Sequence, residues 1–200
     1  MTTTISSITY TTFEPLYSID NIRAEAQRLR SIDLKFAVIP PEGGVPGKQI
    51  IVKHWPLAAL EEWVAPDEIP YPSNLGVLTG THVVRNGHTY WVVDVDVDDQ
   101  KAVPIFAKFM PRTMMWGRPG KPRSHYLYFA DKPVITITGA HSHKTVEIFG
   151  LSKSKGTPGH QSVVPPSVWH KNGRFEPIRY EEDSLPEPAI ISAEFLTEGF

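Results

Sequence analysis

Hydrophobic and polar positions alternate with period two through "YWVVDVDV" (residues 90–97), which predicts a β-strand with Val93, Val95 and Val97 on one face and Asp94, Asp96 and Asp98 on the other. Upstream, "SIDNIRAEAQRLRSI" (18–32) carries Ile22, Ala26 and Leu29 at helical spacing behind Ser18 or Asp20 as N-cap, so it predicts an amphipathic helix. "KFAVIP" reads as a short buried strand, "PEGGVPGKQ" as a loop, and "WPLAALEEWV" as a second helix with Pro56 near its first turn. "NLGVLTGTHVV" predicts a strand broken at Gly80, and "RNGHT" a turn, so a hairpin leads into the acidic strand.

Beyond it, "VPIFAKFMP" predicts a short helix. "SHYLYFA", "PVITITGA" and "KTVEIFG" predict strands, and "HQSVVPPSVW" with "RFEPIRY" adds extended structure. The sum is an α+β chain read as one domain over 1–200. A helix-containing N-terminal lobe (about 1–90) would pack with a mainly antiparallel sheet (91–180), followed by a tail or linker (181–200). The ending "SLPEPAIISAEFLTEGF" fits a docked edge or the start of a connection to a further module, which makes a fragment of a longer protein one reading.

A row of like charges on one strand face repels itself and uses a poor strand former, so it needs solvent or a cation to compensate. Carboxylates two apart lie about 6.5 to 7 Å apart at Cα and point the same way, a spacing that suits one divalent cation or a bridged pair. An edge strand guarded by charge gives the same pattern without chemistry. A helix-loop-helix calcium loop is excluded, because Asp99 stands where glycine is needed and Ile105 where glutamate is needed.

Composition narrows the chemistry. The chain has no cysteine, so disulfides, thiolate zinc sites and iron-sulfur clusters are ruled out within it, and any metal must be held by oxygen or imidazole. No apolar run approaches a membrane span and the N-terminus lacks the order of a signal peptide, which predicts a cytoplasmic protein without membrane contact. The net charge of −2 conceals a basic block: Lys108 to Arg174 holds eleven Lys and Arg against Asp131 and Glu147 alone. Such a block beside an acidic strand fits a polyanionic partner, or lysines that merely solubilise loops.

Four elements follow in order: the acid-x-acid strand at Asp94 and Asp96, "RSHYLYF" with His125, "TVEIFG" with Glu147, and "VVPPSVWH" with Ser167 and His170. This order resembles the archaeo-eukaryotic primase superfamily, and more closely the primase-polymerase domains of plasmid and phage replication proteins; "NLGVLTG" and "GGVPGKQ" upstream extend the likeness over roughly residues 30 to 178. The resemblance implies a primase-polymerase fold with an RRM-like palm sheet carrying the acidic site. It implies transfer of nucleotides to a 3′-hydroxyl on a single-stranded DNA template, with primer and nucleoside triphosphates as partners, in a prokaryotic, viral or plasmid replication context. It further implies Asp94, Asp96 and Glu147 as ligands of two Mg²⁺ or Mn²⁺ ions, and His125 against the phosphates of the incoming nucleotide.

Lys121, Arg123 and Ser124 would join His125 in a triphosphate cradle, with Ser167 and His170 near the nucleotide. A helicase module beyond residue 200 would suit such a protein. Two departures stand out: Arg123 where the pattern often has a small residue, and Glu147 where many relatives have aspartate. Asp98 and Asp99 have no counterpart and are expected to face solvent.

Two rivals compete. A nicking endonuclease of the replication-initiator (HUH) type would use His141 and His143 with Tyr126 or Tyr128 as nucleophile, but leaves the acidic strand unexplained. A non-catalytic nucleic-acid binding module would need only the basic block. His160 is a weaker site candidate, and the aromatics Tyr126, Tyr128 and Phe129 are expected mainly in the core.

Overall fold

The structure, a computed structural model, describes residues 17–39, 65–138, 145–171 and 174–198. Helix α1 (Ile19–Ser31) forms where its apolar spacing predicts, with the Ser18 side chain accepting from the Asn21 amide at 3.1 Å and Ile22, Ala26 and Leu29 buried. Strand β1 (Phe36–Ile39) pairs antiparallel with β2 (Asn74–Thr79), and β2 pairs in turn with β8 (His160–Val164), making a small three-stranded sheet. The segments expected to form the "PEGGVPGKQ" loop and the "WPLAALEEWV" helix lie outside the described residues.

The larger sheet has seven strands built around two long ones, β4 (His88–Val97) and β6 (Lys121–Ala130), paired antiparallel with Asp94 opposite Leu127 and Asp96 opposite His125. Each long strand shares its outer edge between two shorter partners. Beside β4 run β3 (His82–Arg85) and then β7 (Val146–Phe149); beside β6 run β5 (Met114–Arg118) and then β12 (Ala189–Ile191), the last in parallel. The turn from β3 to β4 places Asn86 and Gly87 at φ 51° and 78°, which a tight hairpin requires and which Asn-Gly supplies at low steric cost.

Strand β11 (Arg179–Tyr180) extends this sheet beyond β5, while β9 (Val168–Lys171) and β10 (Arg174–Pro177) form a separate hairpin. Helix α2 (Val103–Phe109) follows the acidic strand and α3 (Ala193–Glu198) ends the described chain. The expected α+β class with a mainly antiparallel sheet is therefore present.

The period-two pattern sorts the two faces of the large sheet. Val93, Val95 and Val97 join Met115, Tyr126, Tyr128, Phe106 and Leu196 in one core, under α2 and α3. Val92, Met114, Trp116, Leu127 and Phe129 face the other core, shared with α1 and the small sheet. Asp94, Asp96 and Asp98 continue this second face along β4, from apolar core to open cleft.

One expectation changes: the described part of "PVITITGA", residues 133–138, forms isolated bridges at Ile135 and Ile137 rather than a strand of its own. Of the two readings of the ending, a docked edge or the start of a connection, residues 181–198 take the docked form: the Ala189 amide donates to Thr113 Oγ1 at 2.8 Å and the Ala193 amide to Asp131 Oδ1 at 2.7 Å. No helix among the described residues is long and apolar enough to cross a membrane.

Candidate active site

Strand register assembles the site before any side chain is considered. Glu147 on β7 and His125 on β6 both stand opposite Asp96 on β4, and Trp116 on β5 stands opposite His125. Directly opposed residues of antiparallel strands share a face. The row Trp116, His125, Asp96, Glu147 thus crosses four strands on one side of the sheet, gathering residues from four separate parts of the chain.

Trp116, His125 and Asp96 of this row line an open cleft of about 470 Å³, within the usual range for small-molecule sites. Arg118, Lys121 and Lys171 contribute positive charge to its lining, beside Ser124, Gln161 and Trp169. Three members of the basic block therefore face the same space as the carboxylates.

The acidic residues divide by position along β4. Asp94 is fully buried; its Oδ2 meets His125 Nδ1 at 2.9 Å and accepts a short hydrogen bond from Ser162 Oγ on β8. A carboxylate only accepts, so Nδ1 carries the proton and Asp94 fixes the ring's orientation, with the Trp116 indole stacked on it at 5.3 Å between centroids. Burial disfavours the imidazolium, but Asp94 and then Asp96 outweigh it and hold His125 above the ordinary histidine range.

Further along, the ligand oxygens of Asp96, Asp98 and Glu147 lie within 4.8 Å of one another. Burial pushes Asp96 above the usual carboxylate range despite the opposing pull of His125 and Lys121. Lys121 Nζ reaches Asp96 Oδ1 at 2.7 Å and Asp98 Oδ1 at 2.6 Å; burial alone would lower its ammonium, and the two carboxylates raise it on balance.

An all-oxygen donor set at this spacing suits a hard divalent cation. Asp94 Oδ1, buried and accepting no hydrogen bond among the described residues, is a further oxygen of the kind a cation compensates. The residues present thus fit a divalent metal.

A family profile described as "Bifunctional DNA primase/polymerase, N-terminal" matches residues 28–189. The chain belongs to that family. Its membership carries DNA priming and polymerisation as the general activity, with DNA and nucleotides as substrates. A comparison with curated proteins finds no match.

Within this primase/polymerase chain, the residues expected from sequence separate into two groups. Asp96, His125, Lys121 and Ser124 line the cleft, with buried Glu147 opposite Asp96 and Asp94 beneath His125. Arg123, Ser167 and His170 do not line it. Arg123 turns to Asp183, with Nη2 at 2.7 Å from Oδ1, and lies 3.9 Å from Glu181. Ser167 is buried and accepts from the Leu75 amide at 3.0 Å, while His170 stacks on Phe175. Their hydrogen bonds and ring contacts hold the fold around the site.

Asp98 is exposed at the strand end, as expected, and it also joins the acidic cluster through the same period-two face. Ser162 and Trp116 carry no local signal, since their roles depend on strand pairings distant in sequence. His141 and His143 lie outside the described residues. Tyr126 and Tyr128 are buried as expected; burial pushes the Tyr126 hydroxyl up to about 12 and Tyr128 higher still, which is the wrong direction for a nucleophile.

Proposed function

We propose that this chain is a template-directed nucleotidyltransferase that adds nucleotides to a 3′-hydroxyl using divalent metal held by Asp96, Glu147 and one or both of Asp94 and Asp98. The observation that carries the reading is the register that sets Glu147 and His125 on either side of Asp96, at the edge of a cleft lined by cations. Bound Mg²⁺ or Mn²⁺ would supply charge stabilisation for the attacking and leaving oxygens.

This chain's own residues do the rest. His125, favoured as imidazolium and held through Nδ1, can donate its other N–H to a phosphate oxygen. Arg118, Lys171 and Ser124 offer further donors to a triphosphate. The stacked Trp116 ring and the Asp94 bond keep His125 from turning as charge develops, so little reorganisation is needed during transfer.

Incorporation of labelled deoxynucleotides on a primed single-stranded DNA, with Mg²⁺ or Mn²⁺, tests the reading. Asp94→Ala/Asp96→Ala should lose at least about a hundredfold in rate while DNA binding persists. Incorporation unchanged in the double variant would reject it, and salt-sensitive DNA binding without incorporation by the intact chain would favour a binding module. Omitting the primer then separates initiation from extension.

A further inference from the structure

The place a divalent cation would take between Asp96 and Asp98 is reached by a cation of the chain itself. Lys121 Nζ lies 2.7 Å from Asp96 Oδ1 and 2.6 Å from Asp98 Oδ1, and only 15% of the lysine side chain is exposed. These are contact distances to the same two carboxylates whose oxygens converge with Glu147. Magnesium binds oxygen at about 2.0 to 2.1 Å, so an ion on these oxygens would sit against the ammonium, and the two positive charges exclude one another.

The lysine has somewhere else to go. It is the first residue of β6, next to the tip of the β5–β6 hairpin, and its flexible stem lines the same cleft as Arg118, Ser124 and Lys171. Resting on the nearly buried Asp96, it offsets the repulsion of the acidic strand that the sequence leaves uncompensated.

We infer that Lys121 is a tethered counter-ion of the acidic cluster, displaced by the divalent cation and thereby delivered to the triphosphate of the incoming nucleotide. The inference rests on the metal reading above and adds an order of events to it. Metal alone binds against a resident competitor, whereas metal with nucleotide binds while the displaced ammonium gains a new anionic partner. By linkage, nucleotide and metal then strengthen each other's binding through this side chain.

Mn²⁺ titration read from the electron paramagnetic resonance of free Mn²⁺ tests it without turnover. Without nucleotide, Lys121→Met should bind Mn²⁺ about five- to tenfold more tightly than wild type. Lys101→Met, at an exposed turn after the acidic strand, should shift affinity less than about twofold. A non-hydrolysable deoxynucleotide should tighten Mn²⁺ binding in wild type and lose most of that effect in Lys121→Met.

Asp96→Asn separates the two levels of the argument. If it binds Mn²⁺ as wild type does, or if wild type binds none, the metal reading fails and the inference with it. If Asp96→Asn loses the ion while Lys121→Met matches Lys101→Met, the Lys121 inference alone is overturned.

The wild-type chain gives a second readout that no folding defect can confuse. Reductive methylation mapped by mass spectrometry should find Lys121 slow without metal, faster with Mg²⁺, and slow again with Mg²⁺ and the nucleotide analogue, Lys101 serving as internal reference. A Lys121 rate unmoved by Mg²⁺ that binds would also overturn it.

Discussion

Glu176 shows how a single carboxylate fixes a site it does not join. It accepts from Arg118 Nη1 at 2.7 Å and from the Gly120 amide at 2.8 Å, while Arg118 lies over the Trp169 ring at 3.9 Å from its centroid. Burial works against its ionised form, but these two hydrogen bonds and the guanidinium charge hold its carboxyl below the ordinary glutamate value. A depressed folded-state pKa contributes stability that is complete above the unfolded value and lost as pH falls through the folded one. Glu176→Gln should therefore cost about 1 kcal/mol at pH 7, with the difference from wild type shrinking below about pH 4, as denaturant midpoints across pH would show. Asp94 and Asp98 show what single residues disclose in advance. Their shared face was legible from alternation, and so was its need for solvent or a compensating cation. Which carboxylate meets His125 and which meets Lys121 was not, because that follows from Ser162 and the β5–β6 hairpin, both remote in sequence from β4.

The β5–β6 hairpin carries the site's movable and fixed parts together. Trp116 and Arg118 lie on one strand and Lys121, Ser124 and His125 on the other, with an irregular register between Trp116 and Arg118. Gly117 sits at that irregularity; a Cβ there would come within 2.6 Å of the Arg123 amide nitrogen and the Lys121 carbonyl oxygen, both backbone atoms that cannot yield cheaply. Arg123 opposite adopts φ 49°, unusual for a residue with a side chain, and its amide is held by Glu181 at 2.8 Å. Gly117→Ala should cost about 1 to 3 kcal/mol in thermal or denaturant unfolding and reduce nucleotide incorporation more than a surface change of equal stability cost. The sequence called for the second strand and left the first unassigned. "TMMWGRPGKPR" lacks clean alternation, and its strand exists because β6 and β11 flank it.

Across the whole molecule, residues distant in sequence close around the cleft. Helix α1 is tied to β11 by a polar network: Arg28 reaches Glu25 at 2.6 Å and the Tyr180 hydroxyl at 2.6 Å, and that hydroxyl donates to Glu25 Oε1 at 2.5 Å. Tyr180→Phe should remove one partner from the buried Glu25 and one from the half-buried Arg28. It should lower stability by about 1 to 3 kcal/mol while leaving DNA affinity unchanged, a split that unfolding curves and filter binding would detect. Fold class and the order of most elements were readable from periodicity, and the family from four motifs, Asp94 to His170, that lie within the matched residues 28–189. Pairing between β2 and β8, which lays Ser162 over Asp94, has no local trace in the chain, because a register between strands some eighty residues apart is chosen by the core they bury.

The docked ending of the chain sets a limit on how far it can be shortened. Strand β12 covers Tyr128, Phe129 and Ala130, the stretch of β6 that β5 does not reach, and Leu196 of α3 fills the core beneath Val95 and Tyr126. Cutting at Asp183, where composition invites a boundary, would bare a row of backbone donors and acceptors beside an apolar strand, a template for edge-to-edge association between molecules. A truncated protein of that kind should be recovered as aggregates, whereas one retaining residues through Glu198 should remain dispersed. The last few turns of the chain act as the sheet's guard against its own copies.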